Sequence, residues 1–250
     1  MSRSALWTLL LGWVGGFVDA VGFLALFHLF TAHMSGNSVW FGTYLGVGNW
    51  RLGLHHLFPI PLFVAGVALG TAAVELARRF RLRAPFVPAL LLEAVLLALF
   101  MVCGSACTVD GAVHTETVWA FYLIAALPAL AMGVQNATLH RVGERLLPTT
   151  YVTGVLNGLA TEGVHLLFWL GEQTRAVGLR PALRAAPAQP ALRAAVASAL
   201  LWLAYVAGAV SGGYAKHRWE LYALIAPLAA LAATIAAASI QPHVGGDPPT

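Results

Sequence analysis

Apolar runs of about 20 residues, separated by short polar stretches, fill almost the whole chain. Six of them are strong: Ala5 to Phe30, Phe58 to Ala77, Pro85 to Gly104, Val118 to Leu139, Ala194 to Ala215 and Leu221 to Ile240. A helix rising ~1.5 Å per residue crosses the ~30 Å hydrocarbon layer in that length. In lipid a segment must also satisfy its own backbone hydrogen bonds, so each run predicts a helix. Two further stretches, Thr31 to Trp50 and Tyr151 to Gly171, are apolar enough to enter a membrane but carry Gly, Asn, Ser and Thr where an ordinary span has Leu. Broken or re-entrant helices are expected there, because irregular backbone is tolerated at membrane depth only inside protein or around a wet cavity.

Composition narrows the class. Of 250 residues 59% are apolar and 10% charged, with mean hydropathy +0.77. A soluble domain carries about 25% charged residues to dress its surface. Soluble enzymes and nucleic-acid binders are therefore excluded, and the net charge of +4 reflects loop arginines. Cys103 and Cys107 lie one helical turn apart in an apolar run, which rules out a disulfide framework. Arg3 followed by a long apolar run without a small-residue cleavage site reads as a retained first helix.

The chain also repeats itself. Gly16-Phe17-Val18-Asp19-Ala20 matches Gly133-Val134-Gln135-Asn136-Ala137, and Ser35-Gly36-Asn37 matches Thr153-Gly154 with Asn157. Val64-Ala65-Gly66, with Gly70, matches Val206-Ala207-Gly208, with Gly212, and Pro88 matches Pro227. The order is the same in both halves, and the longer second half is accounted for by the Arg-rich segment 172–193. Six spans with the amino terminus in the cytoplasm put eleven of the fourteen basic residues inside and leave Arg51, Lys216 and Arg218 outside. Eight spans divide them 8 to 6, so the positive-inside rule favours six. Three spans per repeat is odd, which inverts one half relative to the other. The expected fold is thus an all-α polytopic membrane protein of two inverted-topology repeats of three transmembrane helices, each with an additional Gly-rich broken or re-entrant helix. One membrane domain spans 1–240, with repeat 1 at 4–104, repeat 2 at 118–240, the cytoplasmic insertion at 172–193 and a short tail at 241–250. Both termini are expected in the cytoplasm.

Ionisable groups inside a membrane cost about 2.5–3.5 kcal/mol each on insertion scales, so each needs a reason. Asp19 is either a proton, cation or solute site or a structural bond to a neighbouring helix, with Asn136 and Gln135 at the matching place in the second half. Ser35, Gly36 and Asn37, and Thr153, Gly154 and Asn157, either start half-helices aimed at a polar cavity or form capped turns. Those residues, with Asp19, Gln135 and Asn136, make up the expected substrate-binding set. Candidate proton-coupling groups are Asp19, Glu93 in mid-span, and Glu162 with His165 one turn away on the same helical face. Glu93 is either a lone coupling carboxyl or a structural one, and Glu75 beside Arg78 and Arg79 reads as an interfacial ion pair. His28 and His33 with Asp19 fit no standard metal spacing, so neither a metal nor another cofactor is expected. Gly66 with Gly70, and Gly208 with Gly212, are helix-packing faces. Phosphate-binding loops, nucleophile elbows and zinc motifs are missing from the sequence.

The set Gly16-Phe17-Val18-Asp19-Ala20-Val21-Gly22-Phe23, His33-Met34-Ser35-Gly36-Asn37, Gly133-Val134-Gln135-Asn136-Ala137 and Thr149-Thr150-Tyr151-Val152-Thr153-Gly154 resembles the YoaK-like family of bacterial integral membrane proteins. The resemblance covers nearly the whole chain. Where the family commonly has Thr-Gly-Asn, this chain has Ser35-Gly36-Asn37, which keeps the hydroxyl. The resemblance implies a bacterial inner-membrane protein of unknown function and supplies no substrate or catalytic residue. The expected function, from the residues, is a small-solute permease or secondary transporter with a polar site at the repeat interface. Its expected partners are the lipid bilayer and a small polar solute or ion, with homo-oligomerisation open. The alternatives are a channel or a membrane-embedded interaction or sensor protein. An intramembrane enzyme using Glu162 and His165 is the weakest reading, because no nucleophile or metal set accompanies them.

Overall fold

Ten α-helices and one small hairpin make up the described part of the chain, residues 3–139 and 152–240 of a computed structural model. Helix α1 (Arg3–Ala25) is followed by a short hairpin of α2 (Met34–Gly46) and α3 (Trp50–Leu57). Next come α4 (Pro59–Arg79), α5 (Val87–Ala106) and α6 (Val118–Leu139). Between α5 and α6, strands β1 (Thr108–Val109) and β2 (Ala112–Val113) pair antiparallel. They turn on Asp110 and Gly111, both at positive φ (48° and 82°), the backbone a tight two-residue hairpin requires. The second half holds α7 (Val152–Val177), α8 (Leu179–Ala185), α9 (Pro190–Trp219) and α10 (Ile225–Ile240), with 3₁₀ turns at Ala186–Ala188 and Glu220–Leu224.

Among the described residues five stretches are long and apolar enough to cross a membrane: Ala5–Ala25, Trp50–Arg79, Val87–Ala106, Val118–Thr138 and Pro190–Ser239. The last contains both α9 and α10. The chain is a multi-pass membrane protein. Helix α1 is central: 61% of its apolar window is buried, against 22% for Trp50–Arg79, which is left to face lipid. The core gathers Leu11, Val14, Phe17 and Val21 of α1 with Leu90, Leu97 and Phe100 of α5, Met132 of α6 and Leu231 of α10.

Lipid is as apolar as leucine, so helices in a bilayer associate through close packing rather than through exclusion of water. Two seams do this here, α1 against α9 and α4 against α6. In the first, a Cβ on Gly16 would collide with the carbonyl of Tyr205, one on Gly208 with the carbonyl of Trp13, and one on Gly212 would stand 2.6 Å from the carbonyl oxygen of Phe17. In the second, Gly133 meets the carbonyl of Phe63, Gly66 that of Leu130, and Gly70 that of Val134 at 2.9 Å. These are the glycines of the matched sequence motifs.

One end of the bundle is defined by side-chain contacts. Phe27 touches His114 and Phe121, Tyr122 touches His55 and Phe58, and the buried Lys216 ammonium donates to the Gly111 carbonyl at 2.7 Å and pairs with Glu220. Lys216 therefore fastens the small hairpin to α9. Chain connectivity carries the arginines of 78–83 and 175–193 to the opposite end.

Two expectations change in detail. The first apolar run reaches Phe30, but the helix stops at Ala25 because Phe27 and His28 take left-handed backbone, φ 52° and 65°. The second Gly-rich stretch is not broken: Thr153, Gly154 and Asn157 lie inside the 26-residue helix α7, which runs on through Arg175. Thr149, Thr150 and Tyr151 of the second turn motif, Arg141, Arg145 and the tail 241–250 lie outside the described residues.

Substituting alanine at Gly16 or Gly133 drives a methyl group into a facing backbone carbonyl and is expected to destabilise the full chain by about 1–3 kcal/mol. Gly42 and Gly163 have nothing within 4 Å of the added carbon, so alanine there leaves stability unchanged or raises it slightly. Thermal melting in detergent separates the two groups, and equal losses at Gly16 and Gly42 would contradict the seam.

Candidate functional site

Polar side chains collect where the chain leaves α1, turns back and begins α2. Asp19, buried in the last two turns of α1, faces the returning segment, and Gly22 makes room for it: a Cβ there would meet the Thr31 methyl. The Asp19 Oδ1 accepts hydrogen bonds from the backbone N–H of Thr31 (2.8 Å) and Ala32 (2.9 Å) and from the Thr31 hydroxyl (3.1 Å). Its Oδ2 accepts the Tyr205 hydroxyl of α9 at 2.8 Å and lies 3.5 Å from His33 Nδ1. A carboxylate just before the first turn of α2 also complements the positive end of that helix.

Asn37 closes the same loop from the other side. Its Oδ1 accepts the Phe30 N–H at 3.1 Å and its Nδ2 donates to the Phe30 carbonyl at 2.8 Å, a two-point clamp on the backbone of one residue. Gly36 packs against the Phe30 ring, 2.9 Å from an added Cβ to Cε2, so a larger residue would push that clamp apart. Ser35 is exposed beside it.

His33 is half-buried in the loop between spans. Its hydrogen bond with Asp19 raises its pKa above the ordinary value, against the opposing effect of burial.

Asp19 is thus surrounded by donors, and its lone pairs are occupied by the protein itself. Glu93 is the opposite case. It is fully buried in mid-α5, one turn from Leu90 and Leu97, and neither carboxyl oxygen has a hydrogen-bond partner among the described residues. Gln135 of α6 is also buried. Its Nε2 donates to the Leu11 carbonyl of α1 at 3.2 Å, while its Oε1 is unpartnered. Asn136 is half-buried and is not without a partner. The structure therefore joins Asp19 and Asn37 through one loop, and buries Glu93 in α5 and Gln135 in α6 with no described hydrogen bond from either to that loop.

Thr153 and Asn157 are exposed and Gly154 half-buried on α7, which packs on α9. Glu162 and His165 form a surface pair at 3.8 Å, with His165 65% exposed. Among the described hydrogen bonds and ion pairs, none joins these α7 residues to Asp19. Tyr205 and the role of His33 as partner of Asp19 were missed by the sequence reading. Tyr205 carries no local signal beyond preceding the Val206-Ala207-Gly208 motif, and it reaches Asp19 from 186 positions away.

Comparison with known proteins adds family but no activity. A family model described as "Protein of unknown function (DUF1275)" matches residues 7–238. The UPF0700 transmembrane protein YoaK of Bacillus subtilis (strain 168) is 30% identical over 154 residues, covering 62% of this chain and 64% of that protein. No solved structure matches.

Replacing Asp19 with alanine strands two backbone N–H groups and the Tyr205 hydroxyl, an expected loss of about 3–5 kcal/mol. Tyr205→Phe removes one bond and is expected to lose about 1 kcal/mol. Hydrogen exchange at the Thr31 and Ala32 amides should accelerate strongly in Asp19→Ala and little in Tyr205→Phe; unchanged exchange in the first would sink the clamp. The His33 contribution has a definite sign, since a raised imidazole pKa stabilises the folded state fully below about 6.5 and is lost as pH rises through the raised value. His33→Gln should remove that alkaline decline from melting curves recorded across neutral pH.

Proposed function

Because the chain belongs to the DUF1275 family, whose description names no function, we propose a function from its own residues: a proton-coupled permease for a small polar solute. Glu93 carries this reading. A carboxyl group at the centre of an apolar span is expensive, and a structural role would show as bonds to neighbouring groups. Both oxygens of Glu93 are without a hydrogen-bond partner among the described residues, so no such bond repays its burial there. A group able to exchange a proton when the bundle opens is what coupling requires.

Two further observations support a transporter architecture. The glycine seams join equivalent positions: Gly16 meets the carbonyl of Tyr205 as Gly133 meets that of Phe63, and Gly208 meets Trp13 as Gly66 meets Leu130. An inverted duplication predicts that exchange of partners between halves, since each seam then takes one helix from each repeat. The loop at Asp19 also starts a helix, α2, from the buried carboxylate, as interrupted helices of transporters do. The positive-inside rule favours an orientation with the Arg-rich end of the bundle and the amino terminus in the cytoplasm; a bacterial inner membrane is the setting this reading takes. The aromatic end, bearing Arg51, Lys216 and Arg218, then faces outward.

A membrane-embedded interaction or sensor protein is the second reading, and Asp19 favours it. Its bonds are all internal, as a purely structural role demands.

Glu93→Gln is expected to fold at least as stably as the wild type and to abolish solute-evoked proton movement. The measurement is internal pH in proteoliposomes challenged with small amines, amino acids, sugars and carboxylates. Wild-type vesicles that respond to none of them, or a variant as active as wild type, would overturn the coupling role. Topology is read separately by labelling single cysteines in intact cells. A membrane-impermeant reagent should reach Arg51→Cys and Arg218→Cys but not Arg180→Cys, and the reverse pattern would reject the orientation.

A further inference from the structure

The aromatic end of the bundle holds a cleft that neither the loop at Asp19 nor Glu93 explains. It has two chambers. The inner one, about 220 Å³, is lined by Trp40 and Tyr44 of α2, His55 and His56 of α3, and Phe27 and His28 of the loop after α1. The outer one, about 320 Å³, shares Phe27 and His55 and adds His114, Glu116 and Tyr122. Four of the nine histidines of the chain therefore line one cleft.

Three rings form a common shelf in the inner chamber. Trp40 and Tyr44 lie 5.4 Å apart between centroids, Trp40 and His56 5.5 Å, and Tyr44 and His56 5.6 Å, all within 21° of parallel. His56 is 4% exposed, and its buried Nδ1 has no hydrogen-bond partner among the described residues. A polar atom withdrawn from water and left unbonded costs free energy, so this one asks for a ligand that bonds it. Lysine and arginine are missing from the lining of both chambers, while Glu116 contributes a carboxylate to the outer one. The guanidinium of Arg51 is engaged elsewhere, over the Trp50 ring.

That chemistry selects by charge. Ring faces present negative potential and attract weakly hydrated cations, an imidazole nitrogen accepts an N–H, and an anion finds no countercharge. A small metal ion is poorly served, because aromatic faces do not replace its hydration shell and no group of three or more metal-ligating side chains occurs among the described residues.

We propose that this cleft binds a small organic ammonium compound, of a size with benzylammonium. Its ring or alkyl part lies on Trp40 and Tyr44, its N–H donates to His56 Nδ1, and Glu116 favours its approach through the outer chamber. The inference concerns binding alone and does not rest on the permease reading.

The test uses the full chain in neutral-lipid nanodiscs, labelled with 5-fluorotryptophan. Its eight tryptophans give separate ¹⁹F resonances, and that of Trp40 is assigned by its loss in Trp40→Phe. Benzylammonium, benzyl alcohol and benzoate, nearly identical in size, are titrated in turn. Benzylammonium is expected to shift the Trp40 resonance saturably. Benzyl alcohol should bind at least about tenfold more weakly and benzoate not measurably, and Tyr44→Leu should weaken benzylammonium about fivefold or more. The other seven resonances report whether Tyr44→Leu is folded. If it is not, the selectivity of the wild type decides alone. Equal binding of the alcohol, tighter binding of benzoate, or a shift that never saturates overturns the proposal.

Discussion

Non-helical backbone buried inside a packed bundle has no water to bond, and in this protein one carboxylate answers for it. Asp19 accepts the N–H groups of Thr31 and Ala32 just where the chain, having left α1 early, comes back beside it. Without those acceptors two buried donors would stand unpaired, and the turn from α1 into α2 could not lie where it does. The glycine seam makes the fifth partner available. Because Gly16 lets α9 approach the backbone of α1 at Tyr205, the Tyr205 hydroxyl falls within 2.8 Å of the same carboxylate. Close helix packing and loop geometry are therefore one arrangement: a residue larger than glycine at position 16 would move Tyr205 and loosen the loop together.

Asp19 and Glu93 show how little residue type says about role. Both are single carboxylates in apolar runs, and both are buried. One is saturated with donors, the other has none among the described residues. The difference lies in what the chain does next to each. After Asp19 the helix ends and exposes backbone N–H groups, which are natural partners for an acceptor. Glu93 sits in an uninterrupted helix whose own N–H groups are already bonded, surrounded by leucines that offer nothing. On the permease proposal, a proton is what matches the acceptor there.

Much of the fold was legible because hydropathy and span length answer to the same physical constraint. The run from Val118 to Leu139 is the helix α6 itself, and those from Phe58 and Pro85 differ from α4 and α5 by one or two residues at each end. What hydropathy cannot register is backbone handedness. Phe27 and His28 are as apolar or aromatic as their neighbours, yet their positive φ ends α1 at Ala25. Glycine misled in the other direction: Gly154, Gly158 and Gly163 promised a break in α7 and gave none, since isolated glycines lower helix stability without forbidding it. At the site, Asp19 and Asn37 stood out as polar residues in apolar surroundings. His33 and Tyr205 did not, because their significance depends on contacts made across the fold. The cleft was invisible for the same reason, its rings being ordinary apolar positions until α2 and α3 fold face to face.

The seams also divide the bundle mechanically. Backbones in contact through glycine cannot slide without collision, so α1 with α9 and α4 with α6 each hold together as a unit. The bond between Asp19 and Tyr205 lies within the first unit. The bond from Gln135 to the Leu11 carbonyl crosses between the units, and its amide keeps a spare acceptor. Glu93 belongs to α5, which packs on α6, α10 and α4 and is not itself a member of either glycine seam. Asp19 thus has its bonds inside one seam, while Gln135 and Glu93, which keep unused acceptors among the described residues, lie at the boundary between the seams and outside them. On the permease proposal that boundary is where partners would be exchanged, because a shift of one seam against the other would break the Gln135 bond and leave the Asp19 bond to Tyr205 intact.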